Sequence, residues 1–149
     1  MKLEHEIKQS SFNTPHEKLI INLIYTEGWV RGQMLDRFKP YQLTMQQYNV
    51  LRILRGQYPN PATVNLLVER MLDKTSNASR LVEKLRVKGL VERKTCKEDR
   101  RSVDVVITQA GLDLLAEIDQ SYPQWEDRFH TLSNDEAELL SDLLDKLRG

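Results

Sequence analysis

The sequence lacks the features on which most enzyme and membrane-protein assignments rest. No apolar run approaches the ~20 residues that span a bilayer, and the N-terminal stretch has no signal-peptide core. The three histidines, His5, His16 and His130, are far apart and have no metal-ligand spacing. There is also no glycine-rich phosphate loop and no nucleophile motif. We therefore expect no enzyme, no metal site, no cofactor and no membrane partner.

Cysteine is almost absent as well. Cys96 is the only one, so an intramolecular disulfide is impossible and a cytoplasmic protein is the simplest interpretation. Its cationic neighbours Lys94 and Lys97 favour a thiolate, which keeps a redox-responsive role open.

The formal net charge is zero, because 22 Lys and Arg residues balance 22 Asp and Glu residues. The distribution is uneven, however. The segment from Arg70 to Arg101 has 11 basic and 5 acidic residues (+6), whereas that from Asp104 onward has 3 basic and 11 acidic residues (−8). A concentrated positive patch attracts a polyanion even when the whole chain is neutral. Nucleic acid is thus a candidate partner, and a merely solvated charged face is the alternative.

What the sequence does contain is a series of helix signals. Thr14 followed by Pro15 and Glu17 predicts one capped start, and Pro40 ends that helix. Thr44-Met45-Gln46-Gln47 and Ser133-Asn134-Asp135-Glu136 are two further capping boxes, each followed by an apolar stripe at helical spacing. The terminal parts of the chain are therefore predicted to be helical.

The segment from Asp73 to Gly111 predicts a helix followed by a β-hairpin. We expect the helix to start with a cap at Asp73 or Thr75 and to end before Gly89. Its buried stripe consists of Ala78, Leu81, Val82 and Leu85. The runs 90–96 and 102–108 alternate as strands do, and a charged tip joins them. With a short helix predicted over about 62–72, this is the pattern of a helix-turn-helix with a wing.

Large apolar residues recur at heptad spacing near the C-terminus. They are Leu115, Ile118, Tyr122, Trp125, Phe129 and Leu132. Pro123 lies within this seam, and we expect it to kink the helix rather than end it. Soluble monomers rarely expose such a surface, so we expect a homodimer. The alternative is that the terminal helices pack only on one another within one chain.

These residues resemble those of MarR-type transcriptional regulators over nearly the whole chain. The shared motifs are Ser79-Arg80, Gly89-Leu90-Val91-Glu92-Arg93, Asp99-Arg100-Arg101 and Thr108-Gln109-Ala110-Gly111. Leu67-Val68 departs from the Leu-Ala that is frequent in the family, which is a packing difference. The order and spacing of the four motifs make the resemblance specific.

The resemblance implies a mostly α fold with a small β-hairpin wing. It divides the chain into an N-terminal dimerisation helix and linker (1–43), a winged helix-turn-helix DNA-binding domain (44–108) and C-terminal dimerisation helices (109–149). It also implies a cytoplasmic, nucleoid-associated homodimer that binds a pseudo-palindromic operator in double-stranded DNA, as a repressor in most members. A small aromatic or anionic effector then releases the DNA.

The candidate DNA contacts lie on the helix and on the wing. On the helix they are Ser76, Asn77, Ser79, Arg80 and Lys84. Arginine pairs with guanine and asparagine with adenine, whereas lysine more often meets phosphate. On the wing they are Lys97, Asp99, Arg100 and Arg101. We expect Arg100 to enter the minor groove and Asp99 to hold a neighbouring arginine.

A candidate effector pocket is less clearly marked in the sequence. Four aromatic residues and two cationic ones near the first two helices are its predicted lining: His16, Trp29, Arg31, Phe38, Tyr41 and Tyr48. Aromatic residues at this spacing are also typical of a core. Cys96 is distant from the near-N-terminal position used by oxidation-sensing family members, so an inert strand cysteine is favoured over a sensor. A winged-helix dimer that acts through protein contacts is the remaining alternative function.

Overall fold

The computed structural model describes residues 1–95 and 103–149 and contains eight helices and three strands in those ranges. The helices are α1 (Leu3–Glu6), α2 (Pro15–Phe38), α3 (Met45–Gln57), α4 (Val64–Arg70), α5 (Ala78–Val87), α6 (Gln109–Gln120), α7 (Tyr122–Glu126) and α8 (Asn134–Arg148). The strands are β1 (Ala62–Thr63), β2 (Val91–Thr95) and β3 (Val103–Ile107). Short 3-10 turns follow α2 at Lys39–Tyr41 and α7 at Asp127–Phe129. The predicted fold class, mostly helical with a small β wing, is confirmed.

The three strands form one antiparallel sheet in the order β1-β3-β2. The predicted hairpin is present as β2 and β3, and Val91 pairs with Ile107. Its tip, with Cys96, Lys97, Asp99, Arg100 and Arg101, lies outside the described residues. The two-residue strand β1 was not predicted, because Ala62 and Thr63 follow two prolines and are too few to alternate.

The predicted helix starts are largely confirmed. Thr44 and Ser133 close complete capping boxes with Gln47 and Glu136. Thr14 also caps α2, but the Glu17 carboxylate accepts from the backbone amide of Asn13 rather than from that of Thr14. The first and last long helices therefore begin where local hydrogen bonding satisfies their free amides.

One hydrophobic core joins the helix-turn-helix to the end of α2. Ala78, Val82 and Leu85 of α5 are buried, as the stripe predicts, and Leu81 is half-buried. Phe38 and Tyr48 stack with ring centroids 4.3 Å apart and connect α2 to α3. The core therefore fixes the orientation of α5 relative to the long N-terminal helix.

The C-terminal seam is organised differently from the prediction. Pro123 does not merely kink one helix: α6 ends at Gln120, and α7 begins at Tyr122 with the proline in its first turn. Leu115 and Ile118 are fully buried in the core of their own chain. Trp125 and Phe129 also pack within the chain, since the ring of Phe129 lies 4.8 Å from that of Trp125 and 5.3 Å from that of Trp29. Four of the six predicted seam residues therefore pack within the chain, whereas Tyr122 and Leu132 remain exposed.

The exposed apolar surface lies instead on α2 and α8. Four leucines of α8 are about half exposed: Leu139, Leu140, Leu143 and Leu147. Leu19, Ile20 and Ile24 add to this surface on α2. Across residues 1–95 and 103–149, every helix falls short of the length and apolarity needed to cross a membrane.

Candidate nucleic-acid interface

The exposed face of α5 is polar and cationic along its length. Ser79, Arg80 and Lys84 are exposed, while Val82 and Leu85 on the other face are fully buried. Because the buried face fixes the helix, the exposed side chains are held on a defined surface rather than on a mobile loop. Such a helix has the geometry that helix-turn-helix proteins place in the major groove.

The helix begins later than the sequence predicted. Neither Asp73 nor Thr75 caps it; Asn77 does, and its side-chain oxygen accepts from the amide of Arg80 at 3.0 Å. Ser76 and Asn77 thus precede the first helical residue, so their predicted place on the helix is wrong. The Oδ1 atom of Asn77 is engaged by the helix, and its amide nitrogen takes no part in the cap.

The turn before α5 is fixed by Asp73. Its carboxylate accepts from the Thr75 amide at 3.0 Å and from the Thr75 hydroxyl at 2.6 Å. These hydrogen bonds, that from the hydroxyl foremost, lower the pKa of Asp73 below its ordinary value. The charge that the aspartate carries is therefore used to shape the turn.

A hollow of about 360 Å³ lies where this turn meets α5 and the start of α3. It is lined by Gln46, Asp73, Thr75, Ser76, Asn77, Arg80, Leu81 and Lys84. Four of the five predicted helix contacts, all except Ser79, thus surround one surface hollow. Gln46 was not predicted as part of this hollow. It belongs to the capping box Thr44-Met45-Gln46-Gln47, which places it at the start of α3.

The wing is tied to α5 by an ion-pair cluster. Glu83 accepts from Arg86 at 2.8 Å and from Arg93 of β2 at 3.1 Å. Hydrogen bonds from Arg86 first and from Arg93 second bring the pKa of Glu83 from 4.5 to about 2. The strand that leads toward the wing tip is therefore linked electrostatically to the helix beside it.

The structure does not bring the predicted effector residues together. Phe38 and Tyr48 are in contact, but Phe38 is fully buried in the core. Tyr41 and Trp29 line two separate hollows. His16 is exposed near the start of α2, and Arg31 is exposed and paired with Glu27.

A different pocket lies beside Tyr48, between α2, α3, α6 and α7. Its lining is Met34, Arg37, Tyr48, Arg52, Arg55, Asp119, Tyr122, Pro123 and Trp125. Sequence reasoning missed its arginines. The sequence contains one indication of this pocket. Arg37 lies three residues after Met34 on the apolar face of the helix that became α2, so a charge occurs among core positions.

Comparison with known proteins agrees with this architecture. Residues 41–102 match a family model described as MarR family. A MarR transcription factor from Planctomyces limnophilus is 29% identical, with a TM-score of 0.71, and the match covers 91% of this chain and 98% of that one.

Two more distant structures share the fold. BpsR of Bordetella bronchiseptica, whose DNA binding is regulated by 6-hydroxynicotinic acid, is 22% identical with a TM-score of 0.77 over 93% of this chain and 99% of that one. The organohalide-sensing RdhR regulator, in its 2,4-dichlorophenol-bound form, is 16% identical with a TM-score of 0.81 over 94% of this chain and 85% of that one. Residues 41–102 thus match the MarR family of transcription regulators, and the chain as a whole shares the winged-helix fold of these structures.

Proposed function

We propose that the chain is a sequence-specific DNA-binding repressor that acts as a homodimer and is released from its operator by a small molecule. In this proposal residues 44–108 form the DNA-binding unit, and residues 1–43 and 109–149 supply the dimerisation helices. The observation that carries it is the polar, cationic face of α5, held outward by a fully buried opposite face.

Individual residues on α5 have distinct roles in the proposal. The Arg80 guanidinium pairs bidentately with a guanine, and the amide nitrogen of Asn77 contacts an adenine or a phosphate. Lys84 meets the phosphate backbone and so adds affinity without discrimination between sequences. Ser79 contributes a short hydrogen bond at the groove edge. The hydroxyl of Ser76 is buried, so this residue is not available for the predicted DNA contact.

Dimerisation supports this mode of binding. Half-exposed leucines of α8 and the exposed apolar residues of α2 offer a surface that a second copy would cover. A two-fold dimer presents two α5 helices to major-groove faces one helical turn apart, which suits a pseudo-palindromic operator.

The proposed release by a small molecule is based on two proteins of the same fold. BpsR is regulated by 6-hydroxynicotinic acid, and the RdhR structure holds 2,4-dichlorophenol. Both share the fold of this chain, so we propose that a small aromatic compound lowers its affinity for DNA in the same way.

Selection of bound fragments from a genomic DNA pool, followed by fluorescence anisotropy on the selected site, tests the proposal. Arg80→Ala is expected to weaken binding to the selected site by about 1–3 kcal/mol and to relax the preference for one base. Lys84→Ala should weaken binding to all sequences alike. It should also reduce the slope of log affinity against log salt concentration by about one, the value for one lost phosphate contact.

Arg31→Ala is the matched control, because it removes an exposed arginine of α2 that pairs with Glu27, away from the surface of α5. Equal losses in Arg31→Ala and Arg80→Ala would contradict the assignment of α5. The wing prediction has its own test: Arg100→Ala should weaken binding and flatten its dependence on salt.

A further inference from the structure

The ion-pair cluster of Glu83, Arg86 and Arg93 lies on the outer surface where α5 meets β2. Glu83 accepts from Nε and one Nη atom of Arg86 at 3.0 and 2.8 Å, and from one Nη atom of Arg93 at 3.1 Å. The three side chains are between 43% and 49% exposed. The cluster therefore joins the helix to the strand at a surface that a partner can reach.

The helical period puts this cluster beside the proposed DNA contacts of α5. Glu83 follows Ser79 by four residues and Arg80 by three, and positions at these spacings are neighbours on a helix surface. Ser79 and Arg80 are both exposed. Arg86 lies one turn beyond Glu83, toward the end of the helix. A molecule that contacts Ser79 and Arg80 therefore also lies next to the cluster.

The two arginines keep donor groups for a further anion. A guanidinium has five N–H donors in a planar fork, and Glu83 engages two nitrogen atoms of Arg86 and one of Arg93. Within residues 1–95 and 103–149, Glu83 is the only carboxylate that pairs with either arginine. The pKa of Glu83, about 2, keeps it ionised at neutral pH. The cluster thus carries two positive charges and one negative charge, and a single carboxylate orients both guanidiniums.

Duplex DNA presents a row of phosphates at this place in the proposed binding mode. With α5 in the major groove and the hairpin at the minor groove beside it, the sugar–phosphate strand between the two grooves must run between helix and hairpin. The cluster bridges this gap, because Glu83 lies on α5 and Arg93 on β2. A backbone phosphate is therefore brought to two guanidiniums whose planar forks match its oxygen atoms.

We propose that Arg86 and Arg93 together bind one phosphate of the strand between the two grooves, and that Glu83 is a positioning residue that holds both guanidiniums toward it. This inference rests on the proposed function and adds to it a site that reads no base. One phosphate would meet an arginine from the helix and another from the hairpin, so the contact fixes how the two elements sit on the duplex.

Salt titrations on the selected DNA site test the two arginines. Arg86→Met and Arg93→Met each remove one charge and keep an unbranched side chain. Each should weaken binding by about three-fold or more at low salt and lower the slope of log affinity against log salt concentration by about 0.9. Because Arg86 is half exposed in the last turn of α5, its variant should fold even if Arg93→Met does not.

Arg31→Met is the matched control for these titrations. Arg31 also pairs with a glutamate of its own helix, Glu27, and both side chains are exposed, but the pair lies on α2. Its removal should change neither the affinity nor the slope. Slopes for Arg86→Met and Arg93→Met equal to that of Arg31→Met would overturn the proposal.

Neutral phosphate analogues locate the contact on the DNA. A methylphosphonate is placed at one position after another of the selected site. At one position in each half-site the parent should lose as much affinity as Arg93→Met loses on unmodified DNA, and Arg93→Met should lose nothing further there. At other contacted phosphates the two losses should add. Additive losses at every position would rule out the phosphate contact of Arg93.

The sign of one substitution decides the role of Glu83. Glu83→Gln removes a negative charge from this surface, so charge alone would tighten DNA binding. If the carboxylate positions the arginines, affinity should instead fall by about two-fold or more, and Arg93→Met should cost less in the Glu83→Gln background than in the parent. Circular dichroism at the assay temperature checks that the variant is folded. Tighter binding by Glu83→Gln would refute the positioning role.

The outcomes separate this inference from the function on which it rests. A protein that binds no genomic DNA fragment would contradict both. DNA binding that is weakened in Arg80→Ala but unchanged in Arg86→Met and Arg93→Met would leave the proposed function standing and rule out the phosphate site alone.

Discussion

Gly111 is the glycine at which an added methyl group has the least room. A Cβ atom there would lie 2.4 Å from the carbonyl oxygen of Leu90 and 2.6 Å from a side-chain carbon of Ile107. The neighbouring Thr108 caps α6 by accepting from the Gly111 amide at 3.1 Å, and it donates to the carbonyl of Gly89 at 2.8 Å. The Thr-x-x-Gly motif thus clamps the start of α6 against the end of α5, which explains its spacing physically.

Gly111→Ala should therefore destabilise the protein by about 1–3 kcal/mol, since backbone and a buried isoleucine must both move. Urea denaturation measures the change. Gly56→Ala is the matched control, because a Cβ atom at this exposed helical position has no neighbour within 4 Å. It should be neutral or stabilising by up to about 0.5 kcal/mol. Similar effects of the two substitutions would contradict the clamp.

Asn77 is a second residue whose role depends on one hydrogen bond. Its side chain caps α5, so Asn77→Ala should cost about 1 kcal/mol in the free energy of unfolding. Asn77→Ser keeps a capping oxygen and should stay within a few tenths of a kcal/mol of the parent. If the amide nitrogen of Asn77 also contacts DNA, both variants lose affinity for the selected site, although only the alanine variant is less stable. Equal stability of the two variants in urea would refute the cap.

Between elements, Glu83 links α5 to β2 by an ion pair with Arg93. Its pKa is about 2 against an ordinary value of 4.5, so the native state favours the ionised carboxylate. A lowered pKa in the folded state contributes stability above pH 4.5, and this contribution is lost as the pH falls toward 2. Glu83→Gln should accordingly be less stable than the parent near neutral pH, and the difference should disappear on acidification.

Thermal unfolding at several pH values measures this difference between parent and variant. Glu117→Gln is the control, since it removes an exposed carboxylate of α6 that has no ion pair within residues 1–95 and 103–149. It should show a smaller deficit at neutral pH. A deficit of Glu83→Gln that persisted unchanged at pH 2 would mean that packing, rather than charge, links the two elements.

The sequence predicts helices and strands best where a complete local pattern specifies them. The stripe of α5 and the alternation of β2 and β3 are such patterns, as are the capping boxes at Thr44 and Ser133. The strand β1 depends on pairing with β3, which lies about forty positions away in the chain. The start of α5 depended on a choice among several capping residues close together, which local propensity does not decide.

The candidate site also has one part that a local sequence pattern predicts and another that depends on tertiary packing. The outward side chains of α5 follow from its helical period, so they were predictable. The pocket at Arg37 was not, because Arg55, Asp119 and Trp125 approach it from three other helices. The aromatic residues that we expected to line an effector pocket were distributed between the core and separate hollows by tertiary packing.

For the whole molecule, the structure changes which surface is expected to form a dimer interface, from the predicted C-terminal seam to α8. The large residues expected to meet a second copy, Trp125 and Phe129, contact α2 of their own chain. By contrast, none of the 15 residues of α8 is buried, although its capping box and leucine stripe specify an amphipathic helix. Such a helix gains little stability alone and depends on an apolar partner surface.

Leu143 lies within the leucine face of α8 and is 53% exposed in the single chain. If a second copy covers this face, Leu143→Glu places a charge in an apolar interface and should convert the dimer to a monomer in sedimentation equilibrium. A monomer presents one α5 helix instead of two, so affinity for a two-fold DNA site should fall by more than ten-fold, over about 1.4 kcal/mol. Ser141→Glu introduces the same charge on the other side of α8 and should leave both the dimer and DNA binding intact. A Leu143→Glu protein that remains dimeric, or one that is monomeric yet binds the two-fold site as tightly as the parent, would show that α8 does not join the two reading helices.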